Sequence, residues 1–203
     1  MNRVVLASAN PKKVAEIRQI LGGAVQLVPR PDHLPDVEET ASTFVGNARL
    51  KATALVGATG LSALADDSGL EVDALGGAPG VWSARYAGPD ATDADNVAKL
   101  LAALADRPDR VDRRARFRCV IVLQHPDWSE VRAEGVVEGR IALRPHGEQG
   151  FGYDPIFIPD DGDGRTFAEM EPADKHAISH RGRALAMLQA QLGGGPTIST
   201  PPT

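Results

Sequence analysis

Apolar residues recur along this chain in two alternating rhythms, one of period near 3.6 and one of short continuous runs, which predicts helices and strands intermingled from end to end. Residues 3–7 form an apolar run, read as a strand. Over residues 11–21, Val14, Ile17 and Leu21 fall at helical spacing, with Asn10 placed as N-cap and Pro11 at the first helical position. Residues 25–28 read as a second strand, followed by the polar, proline-rich and acidic loop "RPDHLPDVEETAS". Phe44, Ala48, Ala52 and Leu55 make residues 43–56 an amphipathic helix. Residues 61–65 are a short strand ending in "DDSG", and "LEVD" is another before a glycine-rich loop. An apolar helix is expected over 93–105. Strands at 117–124 and 131–141 have the length of an antiparallel pair, and a last helix runs from Ser179 as N-cap to Leu192, where Gly193-Gly194-Gly195 stops it.

No repeat interrupts this pattern, so the class is α/β or α+β, with one domain over residues 1–193 and a disordered tail over 194–203. The composition, 42% hydrophobic and 24% charged over 203 residues, is that of one sizeable core. A net charge of −5 argues against a protein that grips nucleic acid through a general positive field. The arginine cluster Arg107, Arg110, Arg113, Arg114, Arg116 and Arg118 does not change that, since Arg116 and Arg118 read as the outward side of a strand whose inward side is Phe117 and Cys119. Cys119 is the only cysteine, which excludes disulfides and a cysteine zinc site. The opening "RVVLASA" is shorter than the ~7–15 apolar residues of an export signal. No stretch reaches the ~18 of a membrane span. A cytoplasmic protein without membrane partners is the expectation.

Charge placement brings in the chemistry. Lys12 and Lys13 stand in the first turn of the first helix, where the dipole is positive and free N–H groups already face outward; two cations there fit an anion at that point. Only five of the 22 cationic residues are lysines, and Lys12, Lys13, Lys51 and Lys175 all fall in segments that look chemical on other grounds. Lys51 shares a helix face with Asn47. Asp66 and Asp67 end an apolar strand at a sheet edge. Side chains of adjacent strand residues diverge, so one carboxylate is free to be fixed in the core while the other faces a cleft, and Glu38-Glu39 offers partners for a hard cation such as Mg²⁺. In "QGFGYDPIF", Phe151 or Tyr153 offers a flat base a stacking surface. In "DKHAISHRGRAL", His180, Arg181 and Arg183 crowd another helix start. His176 and His180 have zinc spacing without the glutamate that would accompany it, and Arg165 spoils the calcium-like "DDGDG". GxGxxG, Walker A and GxSxG signatures are absent. A metal phosphatase, a pyrophosphatase acting on ordinary nucleotides and a nucleotide-binding module without turnover all share these features.

Taken in order, Ser8-Ala9-Asn10-Pro11-Lys12-Lys13 with Glu16, Phe44-Val45-Gly46-Asn47-Ala48 with Lys51, Ala65-Asp66-Asp67-Ser68-Gly69, Gly76-Gly77-Ala78-Pro79-Gly80 with Ser83-Ala84-Arg85-Tyr86, Phe151-Gly152-Tyr153-Asp154-Pro155 and Ser179-His180-Arg181-Gly182 resemble the inosine triphosphate pyrophosphatase family. The resemblance spans residue 3 to about 192. It implies an elongated, twisted mixed sheet flanked by helices, two lobes with a nucleotide cleft between them, and a homodimer. It also implies Mg²⁺-dependent hydrolysis of ITP, dITP or XTP to the monophosphate and pyrophosphate. Carried over by motif, Ser8, Ala9, Asn10, Pro11, Lys12 and Lys13 cradle the triphosphate with Lys51 stabilising charge, Glu38 and Asp67 hold the metal, and Asp67 accepts the proton of water. Ser68, Phe151, Gly152, Tyr153, Asp154, Lys175, His180 and Arg181 bind the substrate, the later ones reading the base. Two positions depart from the family pattern: Ser8-Ala9 stands where Thr-Gly is common, and Gly46 stands where many members have glutamate. If that carboxylate normally serves the metal, Glu38, Glu39 or Asp66 compensates here.

Overall fold

A computed structural model describes residues 3–8, 10–21, 25–107 and 111–193. Ala9, Arg110 and the expected tail at 194–203 lie outside the described residues. In chain order the main elements are β1 (Arg3–Leu6), α1 (Pro11–Leu21), β2 (Gln26–Val28), α2 (Phe44–Thr59), β3 (Ser62–Val72), α3 (Asp93–Ala103), β4 (Arg114–Gln124), β5 (Glu130–Ile141), β6 (Phe157–Pro159), α4 (Pro172–Ile178) and α5 (His180–Gly193). The six strands form one sheet in the order β2-β1-β3-β4-β5-β6. β1 pairs in parallel with β2 and β3, while β3, β4, β5 and β6 pair antiparallel. The result is the expected α/β class with a mixed sheet flanked by helices.

Three departures from the sequence pattern matter for the site. The two short strands expected around "DDSG" are one strand. β4 pairs with β3 at every position from Ala63 to Val72, so the ladder overrides the turn preference of Asp, Ser and Gly. The single C-terminal helix is preceded by a short one, α4, and the two meet at an elbow where Ser179 is extended (φ −69°, ψ 157°). Gly182 allows that elbow, since a Cβ there would lie 1.9 Å from the His176 carbonyl oxygen. Finally, α2 continues past 56 to Thr59, and Gly60, with φ 65°, returns its N–H to the Val56 carbonyl.

Three buried clusters hold the layers together. One, around Ile17, Leu21, Ile121, Leu185 and Leu188, seats α1 and α5 on one face of the sheet. A second, around Ala48, Ala52, Leu55 and Ala65, seats α2 on the other. The third, around Leu70, Leu100, Phe117, Phe157 and Phe167, fills the far end of the long antiparallel strands. The middle of β3, carrying Asp66, Asp67 and Ser68, lies where these clusters adjoin. Among the described residues no helix is long and apolar enough to cross a membrane.

Candidate active site

The first turn of α1 uses its N–H groups differently from what the sequence pattern predicts. Asn10 is the cap, but its side-chain oxygen accepts from the backbone N–H of both Lys12 (2.9 Å) and Lys13 (3.3 Å), and its carbonyl accepts from Val14. Pro11 has no N–H to offer. The donors expected to converge on an anion are therefore consumed within the turn, and attraction for an anion falls to the two ammonium groups. Lys12 reaches across to the Gly150 carbonyl (3.4 Å), and Lys13 to Asp66 (3.4 Å). Ser8 accepts from the Asn10 N–H at 3.2 Å.

Because β3 alternates its side chains, Asp66 and Asp67 enter different environments one peptide apart. Asp66 turns toward α1 and α5, meeting Lys13 and, at 3.2 Å, Arg181. Burial favours its neutral form, but Lys13 and Arg181 outweigh that and hold the carboxyl well below its usual range. Its second oxygen, Oδ1, is buried without a partner. Asp67 turns toward α2, where Asn47 donates to Oδ2 (3.1 Å) and Lys51 to Oδ1 (3.4 Å). Here burial wins over Lys51, and Glu39 adds repulsion, so the carboxyl is raised above its usual range. Two neighbouring carboxylates are thus split into a fixed anion and a more basic group, the division of labour expected where one must accept a proton.

Asn47 is fully buried, and its orientation is set by the Ala41 N–H, which donates to Oδ1 (2.9 Å) and leaves the amide nitrogen for Asp67. Glu39 also comes to this cluster. Its carboxylate accepts from Lys51 (2.9 Å) and Arg85 (2.9 Å), whose guanidinium also donates to the Glu39 carbonyl. Glu38, the expected metal ligand, is exposed. Successive residues of an extended segment face opposite ways, and Lys51 and Arg85 select Glu39, so the structure brings Glu39 rather than Glu38 to Asp67. Gly46 has no room for a side chain as packed, because a Cβ would sit 2.6 Å from the Ala41 methyl. Among the described residues no group of three or more His, Cys, Asp or Glu could hold a metal ion.

On the far side of Asp66 is a buried ion network. Lys175 donates to Asp154 (2.8 Å) and Glu16 (3.0 Å), and Arg181 binds Glu16, Asp66 and Ser68 (3.0 Å). The Asp154 carboxylate also accepts from the Phe151 N–H at 2.8 Å. Arg183, counted with these cations in the sequence, instead leaves the cluster for the Val136 carbonyl and Asp161. His180 is buried and lies flat on Phe117, ring centroids 4.7 Å apart, with Nδ1 unpartnered. Burial and then Arg181 and Lys175 push its pKa well below the ordinary imidazole range, so the ring is neutral. Tyr153 is core: it is 3% exposed and donates its hydroxyl to the Ser83 carbonyl (2.9 Å). Phe151 is left as the half-buried ring, 4.9 Å from the Lys175 ammonium and 5.7 Å from the Arg181 guanidinium. Gly152 donates to Asp93 (2.8 Å), tying this loop to α3.

Two adjoining cavities run past these groups as one trough. Its first half is bounded by Ser8, Asn10, Lys13, Glu39, Lys51, Asp66 and Ala84. Its second half is bounded by Asn10, Lys13, Ser68, Ala84, Phe151, Lys175, His180 and Arg181, so Asn10, Lys13 and Ala84 belong to both. The cationic half suits phosphates. The half with a ring, a neutral imidazole and cations already paired with carboxylates suits a flat neutral heterocycle.

The Ham1 family model matches residues 4–191. The chain belongs to the Ham1 family. This Ham1 chain is 49% identical over 197 residues to a dITP/XTP pyrophosphatase of Coxiella burnetii, covering 95% of this chain and 97% of that protein. A dITP/XTP pyrophosphatase of Vibrio parahaemolyticus is also 49% identical over 197 residues, again covering 95% and 97%. Among solved structures, a HAM1 protein from Coxiella burnetii superposes with a TM-score of 0.88 at 48% identity, covering 96% of this chain and all of that one. A dITP/XTP pyrophosphatase from Mycobacterium abscessus gives 0.73 at 48% identity, covering 92% and 97%. The activity named for these relatives is of the class implied by the motifs' resemblance to inosine triphosphate pyrophosphatases.

Sequence reasoning offered Glu39 only as an alternative to Glu38 for the cation, gave Arg85 no role and missed the orienting role of Asn47. Asn47 and Lys51 on one helix face were the available signal; the Arg85–Glu39 contact spans 46 residues and leaves no periodic trace.

Proposed function

We propose that this Ham1 protein hydrolyses non-standard purine nucleoside triphosphates such as dITP, XTP and ITP to the monophosphate and pyrophosphate, removing them from the nucleotide pool. The observation that carries the reading is the trough with Lys13 and Lys51 at one end, a paired-cation pocket at the other, and two adjacent carboxylates split in basicity, Asp66 lining the trough and Asp67 beneath the Lys51 ammonium. Lys12, Lys13 and Lys51 bind the triphosphate and neutralise charge gathering on the departing pyrophosphate. Asp67 orients water toward the α-phosphorus and takes its proton; the bond broken joins that phosphorus to the bridging oxygen of the β-phosphate, which leaves with the pyrophosphate. The donor set at Glu39 and Asp67 is hard oxygen already gathered around one cation, the Lys51 ammonium, and so fits Mg²⁺, which would polarise the phosphates there.

At the base end, His180, Lys175 and Arg181 present N–H donors where a 6-keto purine offers an acceptor. Adenine would set an amino group against them, leaving buried donors unpaired, a costly mismatch. A homodimer and a cytoplasmic location complete the proposal, the first by the motif resemblance and the second because the substrates belong to the nucleotide pool.

The test is an assay of purified protein with Mg²⁺ against dITP, XTP, ITP, ATP and GTP, with pyrophosphate separated from phosphate by ion chromatography. Pyrophosphate from the first three, with ATP and GTP nearly untouched, is the expected result; stepwise phosphate release would overturn it. Asp67→Asn should lower kcat by at least about 10³-fold while the affinity for a non-hydrolysable dITP analogue stays within a few-fold.

A further inference from the structure

Lys51 stands where a metal would be expected. Its ammonium touches Glu39 at 2.9 Å and Asp67 at 3.4 Å, the two carboxylates the trough offers a hard cation. Its side chain is only 15% exposed, and Asp67 beneath it only 6%. Lys51 lines the trough where Asp67 does not, so the ammonium covers the carboxylate that the reaction needs bare. A cation bridging both carboxylates at Mg–O distances of about 2.0–2.1 Å has no room while the ammonium is there. Among the described residues no group of three His, Cys, Asp or Glu could hold a metal ion, so Glu39 and Asp67 also fall short of a metal cage. Mg²⁺ held by one or two carboxylates completes its shell with water and substrate phosphate oxygens.

We infer that Lys51 is a placeholder for the divalent cation: it neutralises Glu39 and Asp67 when no nucleotide is bound, excludes the free metal, and yields its position to a metal that arrives on the triphosphate. The inference rests on the proposed function and adds an order of events to it. The incoming phosphates supply Lys51 with new anionic partners, and its withdrawal uncovers Asp67 in the same movement. Arg85, bonded to the other side of Glu39, keeps that carboxylate in place while the cation between it and Asp67 changes.

Mn²⁺ alone is the probe, titrated into nucleotide-free protein and read by the electron paramagnetic resonance of the free ion. Lys51→Met should bind Mn²⁺ at least tenfold more tightly than the wild type. Lys51→Arg, which keeps the charge, should bind as weakly as the wild type. Lys51→Gln serves if the methionine variant does not fold. Adding Asp67→Asn to the neutral variant should abolish the gain. A folded neutral variant that binds no more tightly than the wild type, or an arginine variant as tight as the neutral one, overturns the inference alone if dITP hydrolysis still requires Mg²⁺. Turnover in excess EDTA overturns the metal assignment itself.

Discussion

At the scale of single residues, the site is built from charges that cannot be reassigned one at a time. Arg181 is 2% exposed and answers Glu16 and Asp66 together, so its loss would leave each of those carboxylates to a lysine, Lys175 and Lys13. His180 is the residue whose titration reaches stability most directly. Its folded pKa lies well below the ordinary imidazole value because burial, then Arg181 and Lys175, disfavour the cation, whereas the unfolded chain titrates near the usual ~6.5. Between those values the unfolded state binds more protons, so stability is full above the unfolded pKa and falls as pH drops below it. Urea unfolding at pH 7 and pH 5 should show His180→Gln losing less stability between the two than the wild type; equal losses would exclude His180 from the acid response. Residue types and spacing exposed Lys12, Lys13, Lys51, Asp67 and Arg181 in the sequence. They could not show that Asn10 takes the N–H groups of both lysines, or that Glu39 rather than Glu38 turns inward, because each depends on a side-chain direction that spacing does not encode.

At the scale of elements, periodicity located β1, α1, α2, β4, β5 and α5 to within a few residues, since each helix buries one face against the sheet and each strand carries a run of buried apolar residues within it. The middle of β3 was illegible: "DDSG" has turn composition, and only the ten-position ladder with β4 keeps it extended. The elbow between α4 and α5 was hidden for the opposite reason, as Ser179 was legible as a cap but nothing marked a second helix before it. α5 is placed by an absence of side chain on its partner strand. A Cβ on Gly135 would lie 2.1 Å from the His180 carbonyl oxygen and 2.5 Å from the Ala184 nitrogen. Gly135→Ala should therefore push α5 off β5 and destabilise the protein by about 1–3 kcal/mol, read by urea unfolding, with a larger fractional loss of nucleotide affinity than a surface substitution on β5.

At the scale of the whole molecule, the trough draws on the first turn of α1, the face of α2, the centre of β3, the 150–154 loop and the α4–α5 elbow. No one of these binds alone, which is why the sequence revealed the function as a set of scattered motifs in fixed order. Ligand binding then stabilises the native state as a unit, by about 2.7 kcal/mol at a concentration of 100 Kd. Hydrogen exchange with a saturating non-hydrolysable dITP analogue should slow in α1, in the 150–154 loop and at the α4–α5 elbow together. Protection confined to one of them would argue against a ligand spanning both halves of the trough.

The continuity of β3 has a consequence for how such a protein is able to change. In the proposed reaction, base recognition hangs from Asp66 and hydrolysis from Asp67, on opposite faces of one strand. Deleting one residue between Ala63 and Asp66 while keeping the β4 ladder would turn every side chain to the other face, setting Asp67 before Arg181 and leaving Ser68, with no carboxylate, in the place beside Lys51. Substitution leaves that parity intact, and a two-residue deletion restores it. Gene lineages of this chain should therefore tolerate length variation in the surface connections while β3 keeps its count, odd indels there acting as a frameshift written in side chains.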